Sequence, residues 1–155
     1  MNKYLLVVVI LLFFAGYGNG QTNQESNESA EEPTSMIAKE EMAEPMNNKG
    51  IGPITSVILD KEIDMGMARL GEVIYQQMCI TCHKPDKDFI GPAPKGILGR
   101  RSAEWIMNMI LNPEEMILKD SIAAALLIQY NGAPMADQNL SEEQARQVLE
   151  YFRTL

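Results

Sequence analysis

Apolar residues are distributed along the chain in three regimes. The first is an unbroken run from Tyr4 to Tyr17 behind Lys3, 14 residues long and followed by Gly18 and Gly20. A basic start, a short apolar run and small residues at its end predict a secretory signal over 1–20. The run is short of the roughly 20 residues a membrane span needs, which leaves an uncleaved anchor as the lesser reading. The second regime, 21–50, has no aromatic residue, seven glutamates against Lys39 and Lys49, and Pro33, Pro45 and Gly50 as breakers. Such a segment buries too little apolar surface to offset its ordering entropy and reads as a disordered acidic tether.

The third regime, 51–155, carries helical periodicity. Met67, Leu70, Ile74, Tyr75 and Met78 recur at intervals of three and four and predict a helix from about Asp64 to Cys79. Gly71 lies within that stripe, where glycine costs roughly 1 kcal/mol against alanine. Close backbone contact with another element would account for it. Ser102 is an N-cap for a helix through Trp105, Ile106, Met109 and Ile110 that ends at Asn112-Pro113. Residues 121–130 predict a buried helix stopped by Asn131-Gly132. Ser141-Glu142-Glu143-Gln144 is a capping box opening a helix whose inner face is Ala145, Val148, Leu149 and Phe152. No alternating strand pattern competes, so the domain is expected to be all-α.

Composition then restricts the chemistry. The 155 residues include two cysteines and one histidine, and the net charge is -8. One histidine excludes a three-histidine zinc site or a histidine switch, and two cysteines cannot complete a four-thiolate cluster. An acidic chain is a poor partner for nucleic acid. With signal and tether set aside, about 105 residues remain, enough for one small core. Exported cysteines tend to oxidise unless engaged, so their placement needs a reason.

That placement is Cys79-Ile80-Thr81-Cys82-His83, at the end of the first helix. Two thiols three positions apart can add to the two vinyl groups of one haem, while the following imidazole turns to its iron. Cys-x-x-Cys-His is the attachment pattern for c-type haem. A thioredoxin-like pair wants a strand before a helix and has no need of His83. A zinc site would lack a fourth cysteine or histidine. A disulfide between residues this close would stabilise little. The expected cofactor is therefore one covalently bound haem c, joined through Cys79 and Cys82 with His83 on the iron.

With no second histidine, methionine is the expected sixth ligand. Met36, Met42 and Met46 fall in the tether, Met65, Met67 and Met78 lie on or beside the cysteine-bearing helix, and Met107 and Met109 read as core filler. Met116 and Met135 remain, and Met135 is favoured because it follows Gly132-Ala133-Pro134 in a loop between helices.

Gly71 and Tyr75, the haem motif, Gly91-Pro92, Pro134-Met135 and Ser141-Glu142-Glu143 together resemble the small class I (monohaem) cytochromes c of bacterial periplasmic electron transfer, over about 63–155. The resemblance implies a cytochrome c fold of four to five helices around one haem. It also implies Tyr151 packed against the glycine and aromatic of the first helix, the Pro92 carbonyl on the proximal imidazole, and Met135 as ligand. Ala136 stands where the family usually has proline after the methionine. Trp105, Arg100 and Arg101 are candidates for haem propionates, and equally for a core tryptophan and a surface arginine pair.

The function expected is one-electron transfer, not enzymatic catalysis, by a monomer in the periplasm. Its donor and acceptor would be redox proteins, with nitrous oxide reductase, a terminal reductase, named first. Lys84, Lys87, Lys95, Arg100 and Arg101 would favour docking of an acidic partner, so transfer rates should depend on ionic strength. The alternatives are a haem-based sensor with a labile sixth ligand and an electron-input subunit of a larger oxidoreductase.

Overall fold

A computed structural model describes residues 45–155; the signal and most of the tether lie outside that range. Five helices and no strand occur among the described residues: α1 (Met65–Met78), α2 (Ala103–Leu111), α3 (Pro113–Lys119), α4 (Ser121–Gln129) and α5 (Glu142–Phe152), with a 3-10 turn at Ile97–Gly99. None of these helices is long and apolar enough to cross a membrane.

The starts follow from capping chemistry. Asp64 accepts from the N–H groups of Gly66 and Met67, Ser102 from Trp105 N–H, and Asp120 from Ala123 N–H. Ser141 and Gln144 form the reciprocal capping box of α5. Each pair satisfies donors that a helix N-terminus otherwise leaves unpaired. α3 begins with proline at its first position, where the missing N–H removes nothing.

α1 and α5 pack closely at Gly71. A Cβ there would lie 1.9 Å from the Gln147 carbonyl oxygen and 2.8 Å from Val148 N, both backbone atoms that cannot step aside. The close approach expected from the sequence is therefore with α5. Tyr75, wholly buried, meets Tyr151 at 5.2 Å and Phe152 edge-on at 5.9 Å. Trp105, Ile106, Ile110, Met116, Val148 and Leu149 continue the core from α2 and α3 to α5.

Two features depart from the pattern-based expectation. Residues 46–50, which composition assigns to the tether, form with 51–64 an extended strap held to the helices by side chains. The Asn108 carboxamide accepts from Ile54 N–H at 2.9 Å and donates to the carbonyls of Lys49 and Ile54, both at 2.9 Å. Ser102 Oγ donates to the Asn48 carbonyl, and Asn48 Nδ2 to Asp120. At the other end Arg153 donates to the Asp60 carbonyl at 2.6 Å. Secondly, α4 is not a buried helix: Ala123 alone is buried in it, and Ile128 is 80% exposed. Ala123 joins the core and Ile122 and Leu126 pack against it, while Leu126 and Leu127 also line a cavity.

Candidate functional site

The last turn of α1 runs directly into the cysteine motif. Tyr75 O accepts from both Cys79 N–H and Ile80 N–H, and Cys79 O from Cys82 N–H at 3.1 Å and His83 N–H at 2.9 Å. This turn brings Cys79, Cys82 and His83 to the wall of one cavity of about 240 Å³. The Tyr75 hydroxyl pins the turn by donating to the His83 carbonyl at 2.6 Å. Burial first, then the neighbouring Tyr151 and Cys79, pushes that phenol up to about 12, so it remains a donor across the physiological range.

The His83 imidazole has a determined orientation. Its Nδ1 lies 2.7 Å from the Pro92 carbonyl. A carbonyl can only accept, so Nδ1 is the donor, which in the neutral ring leaves the Nε2 lone pair for a metal. Gly91 makes this approach possible. Its N–H donates to Cys82 O at 3.0 Å, and a Cβ at that position would stand 2.5 Å from the ring carbon Cε1 of His83.

Cys79 is unlike the nucleophile of a reactive pair. Burial, with a smaller contribution from Cys82, pushes the Cys79 thiol up to about 11. A thiol-disulfide oxidoreductase needs the opposite shift, toward thiolate at neutral pH.

The rest of the cavity is mostly apolar. α2 contributes Ile106, Met109 and Ile110, α4 contributes Leu126 and Leu127 with Tyr130 just past its end, and α5 contributes Val148 and Phe152. The loop after α4 brings Pro134 and Met135 to the same space. Met116, the other methionine weighed as a ligand, is elsewhere: it is wholly buried and its sulfur accepts from Ile51 N–H at 2.9 Å. Met109, read as core filler, packs against the core and also reaches the cavity. The sequence signal for Leu126 and Leu127 is a helix apolar on nearly every side, which needs two apolar surroundings. Two thiols, an imidazole with a free Nε2, a thioether and apolar walls are together the donor set and surroundings that a covalently held haem requires.

The arginine and tryptophan candidates separate. The Trp105 indole N–H donates to Asp120 at 3.1 Å and so is not free for a propionate. Arg100 donates to the carbonyls of Lys95 and Ala93, and Arg101 lies over the Trp105 ring at 5.4 Å. Both guanidinium groups also border the cavity, and with five N–H donors each they retain capacity there. Tyr130, which pattern reading passes over, is pushed up to about 12 by burial and by its hydrogen bond to Asp88.

A family model described as cytochrome c matches residues 68–155, more than half of the chain and all of this site. The chain belongs to the cytochrome c family. It is similar to a cytochrome c2 of Rhodopseudomonas palustris, 46% identical over 112 residues, a match covering 57% of this chain and 80% of that one. Among solved structures it resembles cytochrome c from Rhodothermus marinus, with a TM-score of 0.64 and 43% identity over 66% of this chain and 88% of that chain. An engineered cytochrome c from the same organism gives a TM-score of 0.64 at 42% identity, covering 66% of this chain and 89% of that chain. The all-α fold is that of a class I c-type cytochrome, an electron-transfer protein and not an enzyme, with one covalently bound haem c. Cys79 and Cys82 are the two cysteines available to attach it. The matched region begins inside α1, so the strap at 46–64 precedes what the family model describes.

Proposed function

We propose that this cytochrome is a one-electron carrier of an exported respiratory chain, with His83 and Met135 as the two axial ligands and Pro92 fixing the proximal ring. A bound haem c supplies the ferric-ferrous couple; the protein supplies ligands, burial and an edge for transfer. The observation that carries the ligand assignment is the separation of the two candidate methionines. Met135 borders the cavity with His83, whereas the Met116 sulfur is engaged by Ile51 N–H within the core. Pro134 before Met135 restricts the loop backbone and favours a fixed presentation of the thioether. Filling both axial positions from the chain leaves no site for a substrate, which favours a carrier over a ligand sensor.

The partners proposed are a redox donor and a terminal reductase such as nitrous oxide reductase, in the periplasm. The basis for export is the signal pattern at 1–20, and the acidic segment behind it is read as a tether. Replacement of each methionine tests the ligand assignment. In Met135→Ala the weak red charge-transfer band of methionine-ligated ferric haem should disappear and the reduction potential should fall. Met116→Ala should keep the band and lose stability, by about 2–5 kcal/mol for a buried methionine. The reverse pattern would move the ligand to Met116.

A further inference from the structure

Asp120 is a buried carboxylate beside the haem cavity that the ligand set does not use. It is 5% exposed, and three donors from three parts of the fold converge on it. Asn48 Nδ2 of the strap donates to Oδ2 at 2.6 Å. The Trp105 indole Nε1 donates to Oδ1 at 3.1 Å, and Ala123 N–H donates to the same oxygen at 2.8 Å. The bond to Ala123 is ordinary N-capping of α4. The other two are not needed for a cap, and they join the strap to a ring that borders the haem cavity. Arg101 lies over that same ring and is in electrostatic contact with Asp120.

We propose that Asp120 is a positioning and charge-setting residue for electron transfer. It holds the Trp105 indole in place as a wall of the cavity, and its negative charge lowers the haem reduction potential to an extent set by how the strap seats Asn48. The redox step is the transfer of one electron from a donor protein to ferric haem, giving ferrous haem with no bond made or broken at Asp120. Ferric haem carries one more positive charge than ferrous, so a fixed carboxylate in a water-poor setting favours the ferric state. Hydrogen bonds to that carboxylate delocalise its charge and weaken the effect. Removing the charge and removing a donor should therefore act in opposite directions.

The test is a redox titration of the holoprotein with haem attached, made on Asp120→Asn and Asn48→Ala, with NMR exchange of the Trp105 indole N–H as a second readout. Asp120→Asn keeps an oxygen acceptor for the indole and loses the charge. Its potential should rise, so that the ferrous-to-ferric ratio at a fixed solution potential increases severalfold, with the indole proton still protected and the methionine charge-transfer band retained. Asn48→Ala keeps the charge and loses one donor, and its potential should fall. An unchanged potential in Asp120→Asn with the indole still protected would reduce Asp120 to a helix cap and overturn the proposal. A rise accompanied by loss of the charge-transfer band would assign the effect to the axial ligand and also overturn it. If Asp120→Asn does not fold, Asn48→Ala decides alone: a lowered potential supports the proposal, and an unchanged or raised one refutes it.

Discussion

His83 shows how one backbone contact sets the chemistry of a side chain. Pro92 fixes the tautomer through its carbonyl, and that carbonyl reaches the ring because Gly91 has no side chain. An alanine at Gly91 would put its Cβ 2.5 Å from His83 Cε1, so either the ring or the loop must move. Gly91→Ala should cost about 1–3 kcal/mol, as overpacking does. Thermal unfolding of the holoprotein checks this, with Gly99→Ala, where a Cβ meets nothing within 4 Å, as the control that should unfold nearly as the parent does. The residues of this centre were legible because covalent attachment demands two cysteines and a histidine at one fixed spacing. Asp120 was not legible: an aspartate just before a helical run reads as a cap, and only the fold brings Asn48 and Trp105 to it. Glu150 was equally hidden, since a glutamate in a capped amphipathic helix reads as solvent-facing.

Glu150 belongs to the packing of α5 against the strap and α1. It is 1% exposed, pairs with Arg146 and with Arg153 at 2.5 Å, and accepts from Asp64 N–H at 2.7 Å. Burial works to raise its carboxyl. The hydrogen bonds from Arg146 and Asp64 and the charges of Arg146 and Arg153 outweigh that and hold it below the usual glutamate range. A folded-state value below the unfolded one means that its stabilisation is complete above the ordinary glutamate range. It is lost as pH falls through the depressed folded value. Glu150→Ala should destabilise by about 3–5 kcal/mol at neutral pH, as removal of one partner of a buried ion pair does. In denaturant titrations across acid pH the difference between parent and variant should shrink as pH falls. A difference independent of pH would show that lost packing, not charge, is responsible.

The same scale explains which elements sequence pattern could locate. α2 and α5 declare themselves by a cap and an apolar stripe and α1 by its stripe alone; the observed starts of all three, and the ends of α1 and α2, lie within a residue or so of those expected. α3 has no stripe of its own and is recognisable only by Pro113, which reads as the end of the preceding helix. α4 was located correctly and its surroundings misjudged, because apolar composition alone does not distinguish protein core from a cofactor cavity. The strap has no periodicity at all. What orders it is a set of polar contacts to Asn108, Ser102 and Arg153, long-range pairings of a kind that local pattern does not encode.

At the scale of the whole molecule, these parts form one arrangement. α1 carries the attachment motif, its packing on α5 fixes where that motif stands, and α2, α4 and the 133–138 loop complete the walls. The strap ties the α2–α4 side to the end of α5 through Asn108 and Arg153. A carrier needs such rigidity, since ligands that remain bound in both oxidation states keep the structural change on electron transfer small. The central claim is that the chain itself fills both axial positions. Exposure of the ferrous holoprotein to carbon monoxide, followed in the Soret region, tests it most directly. A spectrum unchanged by carbon monoxide, with the methionine charge-transfer band present after reoxidation, is the result predicted. Ready carbon monoxide binding with that band absent would contradict it and identify a haem with an open or labile sixth position.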